Sequence, residues 1–192
     1  LEAHYQNFIT ELVKTDAALT KAKAILTEHF EFLNIILKIS FNEALYKDIL
    51  AQGELLSTKL FSTFLEEQGI DHMYLPALDF MVIDEYDEPD LDTIKKKLAE
   101  ILKVNADKKL FITQGYICRN AKGEVDNLKR GGSDYSASLI AAACNATVCE
   151  IWTDIDGMHN NDPRVVNKTV AIEQLSFDEA AELAYFGAKI LH

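Results

Sequence analysis

Leu110-Phe-Ile-Thr-Gln-Gly-Tyr-Ile117, then Ser133-Asp-Tyr-Ser-Ala-Ser-Leu-Ile-Ala-Ala-Ala-Cys-Asn145, then Val148-Cys-Glu-Ile-Trp-Thr153 is the stretch on which the fold turns. The first and third segments are short, apolar and rich in β-branched and aromatic residues, which predicts strands. The middle segment is alanine-rich and long enough for three helical turns. Residues 120–132 and 154–167 separate these elements as polar loops, and a further helix is predicted from Ser176 to Leu191, opened by the capping box Ser176-Phe-Asp-Glu179. Strand, loop and helix in alternation imply a parallel sheet with helices on both faces, so the predicted class is α/β. In such sheets ligands gather beyond the carboxyl ends of the strands, which directs attention to the loops at 118–133 and 153–165.

Upstream the texture is helical. Residues 1–50 contain no proline or glycine and carry Phe8, Leu12, Leu19, Ile25, Phe32 and Ile36 at helical spacing, predicting two or three helices. Gly53 precedes Glu54-Leu-Leu-Ser-Thr58, and Leu56, Leu60, Phe61 and Phe64 continue a helical stripe to a stop at Gly69. Met73-Tyr74-Leu75 predicts a short strand, Phe80 to Ile83 a second apolar segment, Asp84 to Asp92 an acidic loop, and Thr93 to Leu102 a helix. No internal repeat or low-complexity tract interrupts the 192 residues.

Charge and cysteine narrow the function. With 19 Lys+Arg against 31 Asp+Glu the net charge is −12, which argues against nucleic acid, whose binding draws on phosphate neutralisation. An anionic ligand must then be held by local features against the global field. No apolar run approaches a membrane span and no basic leader precedes one, so a soluble, cytoplasmic protein with no membrane partner is expected. Cys118, Cys144 and Cys149 show no C-x-x-C spacing, and Cys144 and Cys149, set among Ala, Ile and Val, are expected to be buried reduced thiols.

The sharpest chemical feature is Lys129-Arg-Gly-Gly-Ser-Asp-Tyr-Ser136, where a loop enters a helix. Two glycines let backbone amides face a ligand, Ser133 is placed to cap the helix, the helix offers its positive end to an anion, and Arg130 adds a planar fork for a carboxylate or phosphate. The same residues also fit a tight turn before a capped helix. Trp152-Thr-Asp-Ile-Asp-Gly157 followed by Asp162-Pro-Arg164 is the second feature. Its Asp-x-Asp-Gly piece fails as a calcium loop, because positions five and twelve counted from Asp154 are Met158 and Val165. No Walker P-loop, G-x-G-x-x-G, G-x-S-x-G or H-E-x-x-H motif occurs, and the five histidines show no ligand spacing. Metal held by protein alone is not expected, whereas magnesium carried by nucleotide phosphates remains compatible.

Gly53-Glu-Leu-Leu-Ser-Thr58, Phe111-Ile-Thr-Gln-Gly115, Arg130-Gly-Gly-Ser-Asp-Tyr135, Trp152-Thr-Asp-Ile-Asp-Gly157, Asp162-Pro-Arg164 and Phe186-Gly-Ala-Lys-Ile-Leu-His192 together resemble the aspartate kinases of the amino-acid kinase family, in order and spacing over about 140 residues. The resemblance implies a three-layer α/β/α sandwich around a largely parallel sheet, with residues 1–70 as its helical portion and 108–192 as its nucleotide- and substrate-binding portion. It implies transfer of the γ-phosphate of ATP, carried with Mg²⁺, to the β-carboxylate of L-aspartate, the first step of lysine, threonine and methionine biosynthesis. It implies that Glu54 holds the substrate's α-amino group and Arg130 a carboxylate, with Ser133 and Asp134 at the junction of aspartate and phosphates. Thr153 and Asp154 would contact the nucleotide, His159 would stack near it, Arg164 would meet its phosphates, and Lys189 and Ile190 would reach it from the last helix. Each keeps a plainer rival: a helix cap for Glu54, a first-turn charge for Asp134, a solvated last-turn charge for Lys189.

The sequence departs from the resembled pattern in three places. The opening Lys-Phe-Gly-Gly strand is absent, a usual Thr-rich stretch reads Glu124-Val-Asp-Asn-Leu-Lys129 with Lys129 where glycine is common, and His159 replaces a loop tyrosine. The ACT domains that normally follow are absent too. A single incomplete catalytic domain, weakly active or inactive alone, is therefore expected. A nucleotide-binding or oligomer-forming module without chemistry, or a sister amino-acid kinase, is the competing expectation, and homo-oligomer formation stays open.

Overall fold

Three helices build the first part of the chain because their apolar positions recur on one face and their ends are capped. In the computed structural model, which describes all residues except 40–41, 130, 154–155, 163 and 187–192, α1 spans Glu2–Leu12, α2 Asp16–Ile36 and α3 Glu43–Glu67. Thr15 caps α2 by accepting from the Ala18 amide, and Asn42 caps α3 by accepting from the Leu45 amide at 2.8 Å. The far end of α3 closes the start of α2: Glu67 Oε1 accepts from the amides of Lys14 and Thr15 at 2.8 and 2.6 Å. Those bonds hold the Glu67 carboxyl below its usual range, the Thr15 amide most of all. Since His29 of α2 meets Gln52 of α3 and Lys21 meets Glu66, the two helices run antiparallel. Ile9, Val13, Ala22, Leu26, Phe30, Leu56 and Leu60 close a first core between the three.

Helix α3 runs through Gly53 rather than starting after it. A mid-helix glycine costs about 1 kcal/mol against alanine, but α3 packs on two cores at once, through Leu56 and Leu60 on one and Ala51 on the other. Tertiary burial therefore offsets the local cost of the glycine.

The second core joins β1 (Met73–Tyr74), α4 (Ala77–Phe80), α5 (Leu91–Val104), β2 (Phe111–Ile112), β3 (Ile117–Arg119), β4 (Val125–Asn127) and α6 (Gly132–Ala143) around Phe80, Met81, Ile94, Leu98, Ile117 and Leu139. Strand β1 pairs parallel with β2 in the register Met73↔Phe111. Strand β3 takes a parallel bridge from Val82 and pairs antiparallel with β4. The α/β class stands, and the sheet of the described residues consists of these short pieces. The stretch 110–117 predicted as one strand is broken at Gly115 into β2 and β3, and the polar loop predicted at 120–132 contains β4. Helix α7 spans Phe177–Tyr185 and opens on the predicted capping box: Ser176 Oγ accepts from the Glu179 amide, and the Glu179 carboxylate accepts from the Ser176 amide.

Val148–Thr153 forms no strand. A parallel strand needs a neighbour to satisfy its backbone groups and cover its side chains, and here Val148 and Trp152 are exposed, Trp152 to 88%. Cys144 and Cys149, expected to be buried, are exposed for the same reason, whereas Cys118 in β3 is buried and its thiol is pushed up to about 12 by desolvation. No helix among the described residues is long and apolar enough to cross a membrane.

Candidate functional site

The glycine turn before α6 packs against Tyr116. Gly131, at φ 76°, is the N-cap of α6, and no side chain caps the helix. Ser133, predicted as the cap, instead lies in the first turn, so its hydroxyl is not spent on capping and the α6 amides keep their unsatisfied, anion-attracting character. A glycine at 131 suits the positive φ, and this freedom decides where the helix begins. The next glycine answers a different need: a Cβ on Gly132 would sit 2.9 Å from Tyr116 Cδ2 and 3.1 Å from Leu128 Cβ. Gly115 likewise faces Ser133 at 3.0–3.1 Å. Replacing Gly132 by Ala is expected to cost about 1–3 kcal/mol by overpacking, read as a lowered calorimetric melting temperature.

Buried Ser136 locks this junction. Its hydroxyl donates to the Gly132 carbonyl at 2.7 Å and accepts from the Tyr116 amide at 2.9 Å. Tyr116 itself adopts φ 69°, and the Leu128 amide donates to its carbonyl at 2.7 Å. Lys129, at φ 61°, is also left-handed, the physical reason glycine suits this position; its ammonium lies 3.4 Å from Asp87 in the acidic loop.

Glu54 lies in the middle of α3. Burial raises its pKa above the ordinary glutamate range, and its charge in turn contributes to the raised pKa of Tyr116. Among the described residues no hydrogen bond or ion pair to the Glu54 carboxylate is present. A half-buried carboxylate left without a cation is costly, and it is the sort of group that a ligand ammonium satisfies. The Glu54 carbonyl accepts from Thr58 Oγ1 at 2.7 Å, and Thr58 Oγ1 accepts in turn from Gln114 Nε2 at 2.6 Å. Gln114, 1% exposed, also donates to the Tyr74 hydroxyl at 2.7 Å and accepts from the Ala77 amide at 2.8 Å. One side chain thus ties α3, β1 and the start of α4 beside the site.

Ser133 and Asp134 share the first turn of α6, Asp134 half-buried there, and Glu54 lies half-buried in the middle of α3. Arg130, Asp154, Lys189 and Ile190 lie outside the described residues. Thr153 is exposed and borders, with Glu150, Ile151, Trp152, Asp156 and Gly157, an open cleft of about 470 Å³. The guanidinium of Arg164 makes a two-pronged contact with buried Asp162, Nε to Oδ1 at 3.0 Å and NH2 to Oδ2 at 3.1 Å. Asp162 thereby orients Arg164, and an anion would share that fork rather than meet it unengaged. His159 is buried, Nδ1 2.9 Å from Thr169 Oγ1 and Nε2 2.6 Å from Asp156 Oδ1. That placement makes it a pin between the 156 and 169 segments and does not favour the stacking expected of it. The His159 contact lowers the Asp156 pKa.

Gln114, Tyr116 and Ser136 are the residues that sequence reasoning did not single out. Gln114 stands inside a quoted motif, but only burial reveals three partners 37 to 56 positions away.

An α/β frame with an uncapped helix start and a half-buried carboxylate that has no cation among the described residues suits a protein that binds a small molecule through both charges. Residues 3–192 match the sequence model of the Amino acid kinase family, and the chain belongs to that family. Within it, the chain is 37% identical over 170 residues to the lysine-sensitive aspartokinase 3 of Escherichia coli (strain K12), covering 87% of this chain and 38% of that protein. It is 38% identical over 147 residues to the aspartokinase of Chlamydia pneumoniae, covering 75% of this chain and 33% of that one. The crystal structure of E. coli aspartokinase III in complex with aspartate and ADP (R-state) superposes with a TM-score of 0.83 at 33% identity, over 96% of this chain and 42% of that one. The same enzyme in complex with lysine and aspartate (T-state) gives 0.73 at 35% identity, over 88% and 39%. The chain thus spans well under half the length of these relatives.

Proposed function

We propose that the chain is part of the catalytic domain of an ATP-dependent aspartate kinase, which phosphorylates the β-carboxylate of L-aspartate at the head of lysine, threonine and methionine biosynthesis in the cytoplasm. The single observation that supports this reading is the half-buried Glu54 carboxylate, without a cation among the described residues, whose charge is felt at Tyr116, the residue packed against Gly132 at the uncapped start of α6. In this reading Glu54 pairs with the substrate ammonium and Arg130 with a carboxylate, while Ser133 and Asp134 line the path between carboxylate and phosphates. Thr153, Asp154 and Arg164 serve the nucleotide, joined by Lys189 and Ile190. ATP, when bound, supplies the phosphoryl group. In this reading Mg²⁺ enters on the nucleotide's own phosphates.

The mechanism asks little covalent chemistry of the protein. A carboxylate nucleophile is ionised at neutral pH, so no general base is needed. The residues align two anions that repel one another and spread the developing charge onto backbone amides and guanidinium groups.

Titration calorimetry with L-aspartate, L-glutamate and ADP, beside hydroxylamine trapping of acyl phosphate, tests the assignment. Aspartate is expected to bind at least about tenfold more tightly than glutamate, the scale of one methylene in a shaped pocket. A preference for glutamate would place the chain with a sister kinase, and nucleotide binding without amino-acid binding would make it a module without this chemistry.

A further inference from the structure

Lys47 lies seven residues before Glu54 on α3, two helical turns away on the same face. Its ammonium is 2.7 Å from Oδ2 of Asp126 in β4, a carboxylate only 8% exposed. The other oxygen, Oδ1, accepts from the Asn127 amide at 2.8 Å. The Asn127 side chain in turn accepts from the amide of left-handed Lys129 at 3.0 Å, and the Lys129 carbonyl accepts from the Gly132 amide at 3.1 Å. A continuous path of polar contacts therefore runs from the face of α3 that carries Glu54 to the first residue of α6. Lys47 also lies 3.7 Å from Glu43, a solvated charge one turn away, and feels the charge of Asp87.

We propose that Lys47 and Asp126 are positioning residues for the amino-acid site: their ion pair sets the separation between Glu54 and the α6 N-terminus. The assignment of those two groups as the ends of one site rests on the aspartate kinase reading above. A largely buried ion pair contributes little net stability relative to apolar residues of similar size, while it fixes direction and register. The pair suits a task of geometry because Lys129 occupies a strained backbone angle that only its surroundings enforce. Without the Asp126 acceptor, the amide of Asn127 is released and the support of the Lys129 turn goes with it.

The test uses Lys47→Arg and the double replacement Lys47→Met with Asp126→Leu, the latter because it removes both charges and leaves none buried alone. Amide hydrogen exchange is read at Asn127, Lys129 and Gly132 against α3 and β3 as internal references. In the double variant these three amides are expected to exchange about tenfold faster while the references stay protected, and Lys47→Arg is expected to retain protection. In aspartate phosphorylation, the KM for aspartate is expected to rise about tenfold with a smaller change in kcat. Unchanged exchange at the three amides in a folded double variant overturns the proposal, as does loss spread evenly through α3. Should the wild-type chain bind no aspartate, the functional reading fails, and the exchange result still decides whether the pair positions the turn.

Discussion

Replacing Glu54 by Gln is expected to lower kcat/KM for aspartate by about 10- to 100-fold, the 1.5–3 kcal/mol of a hydrogen bond to a charged group. Glutamine keeps the size and the acceptor oxygen and loses the charge that would meet the ammonium. The same change is expected to stabilise the unliganded protein. Burial raises the folded pKa of Glu54, so the fold disfavours its ionised form. Stability is therefore lost as pH rises from the ordinary glutamate range through the raised value, and the full penalty is present at neutral pH. Glutamine carries no such penalty. Aspartate affinity is expected to weaken as pH falls through the raised Glu54 pKa, and the Gln variant is expected to lack that limb. Steady-state kinetics and melting temperatures across pH 4–8, on both proteins, check the pair of outcomes; equal pH profiles would remove Glu54 from the site.

Gln114→Leu is expected to give the largest loss of stability, about 2–4 kcal/mol, because it leaves the buried Ala77 amide without an acceptor and strips donors from Thr58 and Tyr74. Leucine matches the volume closely, so the effect reports hydrogen bonding rather than a cavity. For a chain of this size the melting temperature is expected to fall by roughly 5–15 °C. Gln114→Glu keeps the acceptor for Ala77 and loses the amide donor, and an intermediate value is expected. Equal melting temperatures for wild type and Gln114→Leu would show that the three hydrogen bonds make no net contribution to stability.

How much of this was legible in the sequence depends on how local each signal is. The capping box at Ser176, the N-terminal helices and the glycine turn at 131–132 are set by neighbours within four residues, and they appear where the pattern puts them. Gly53 is tolerated inside α3 because that helix is held by packing on two cores, a fact no local window contains. Val148–Thr153 misled: its residues suit a strand, yet no neighbour pairs with it among the described residues. Helix α6 begins two residues earlier than a Ser133 cap implies, because the cap is chosen by backbone angle at Gly131 rather than by the first hydroxyl available.

The sequence by itself determined the α/β class, the helical first portion and the membership of one kinase family, since hydrophobic period and motif order are one-dimensional properties. Tertiary structure alone decided that Glu54 stands half-buried, that Gln114 binds three elements at once, and that Lys47 on one helix reaches Asp126 on a distant strand. Desolvation and hydrogen bonding depend on which atoms exclude water from one another, and residues 79 positions apart acquire that relation only when the chain has folded.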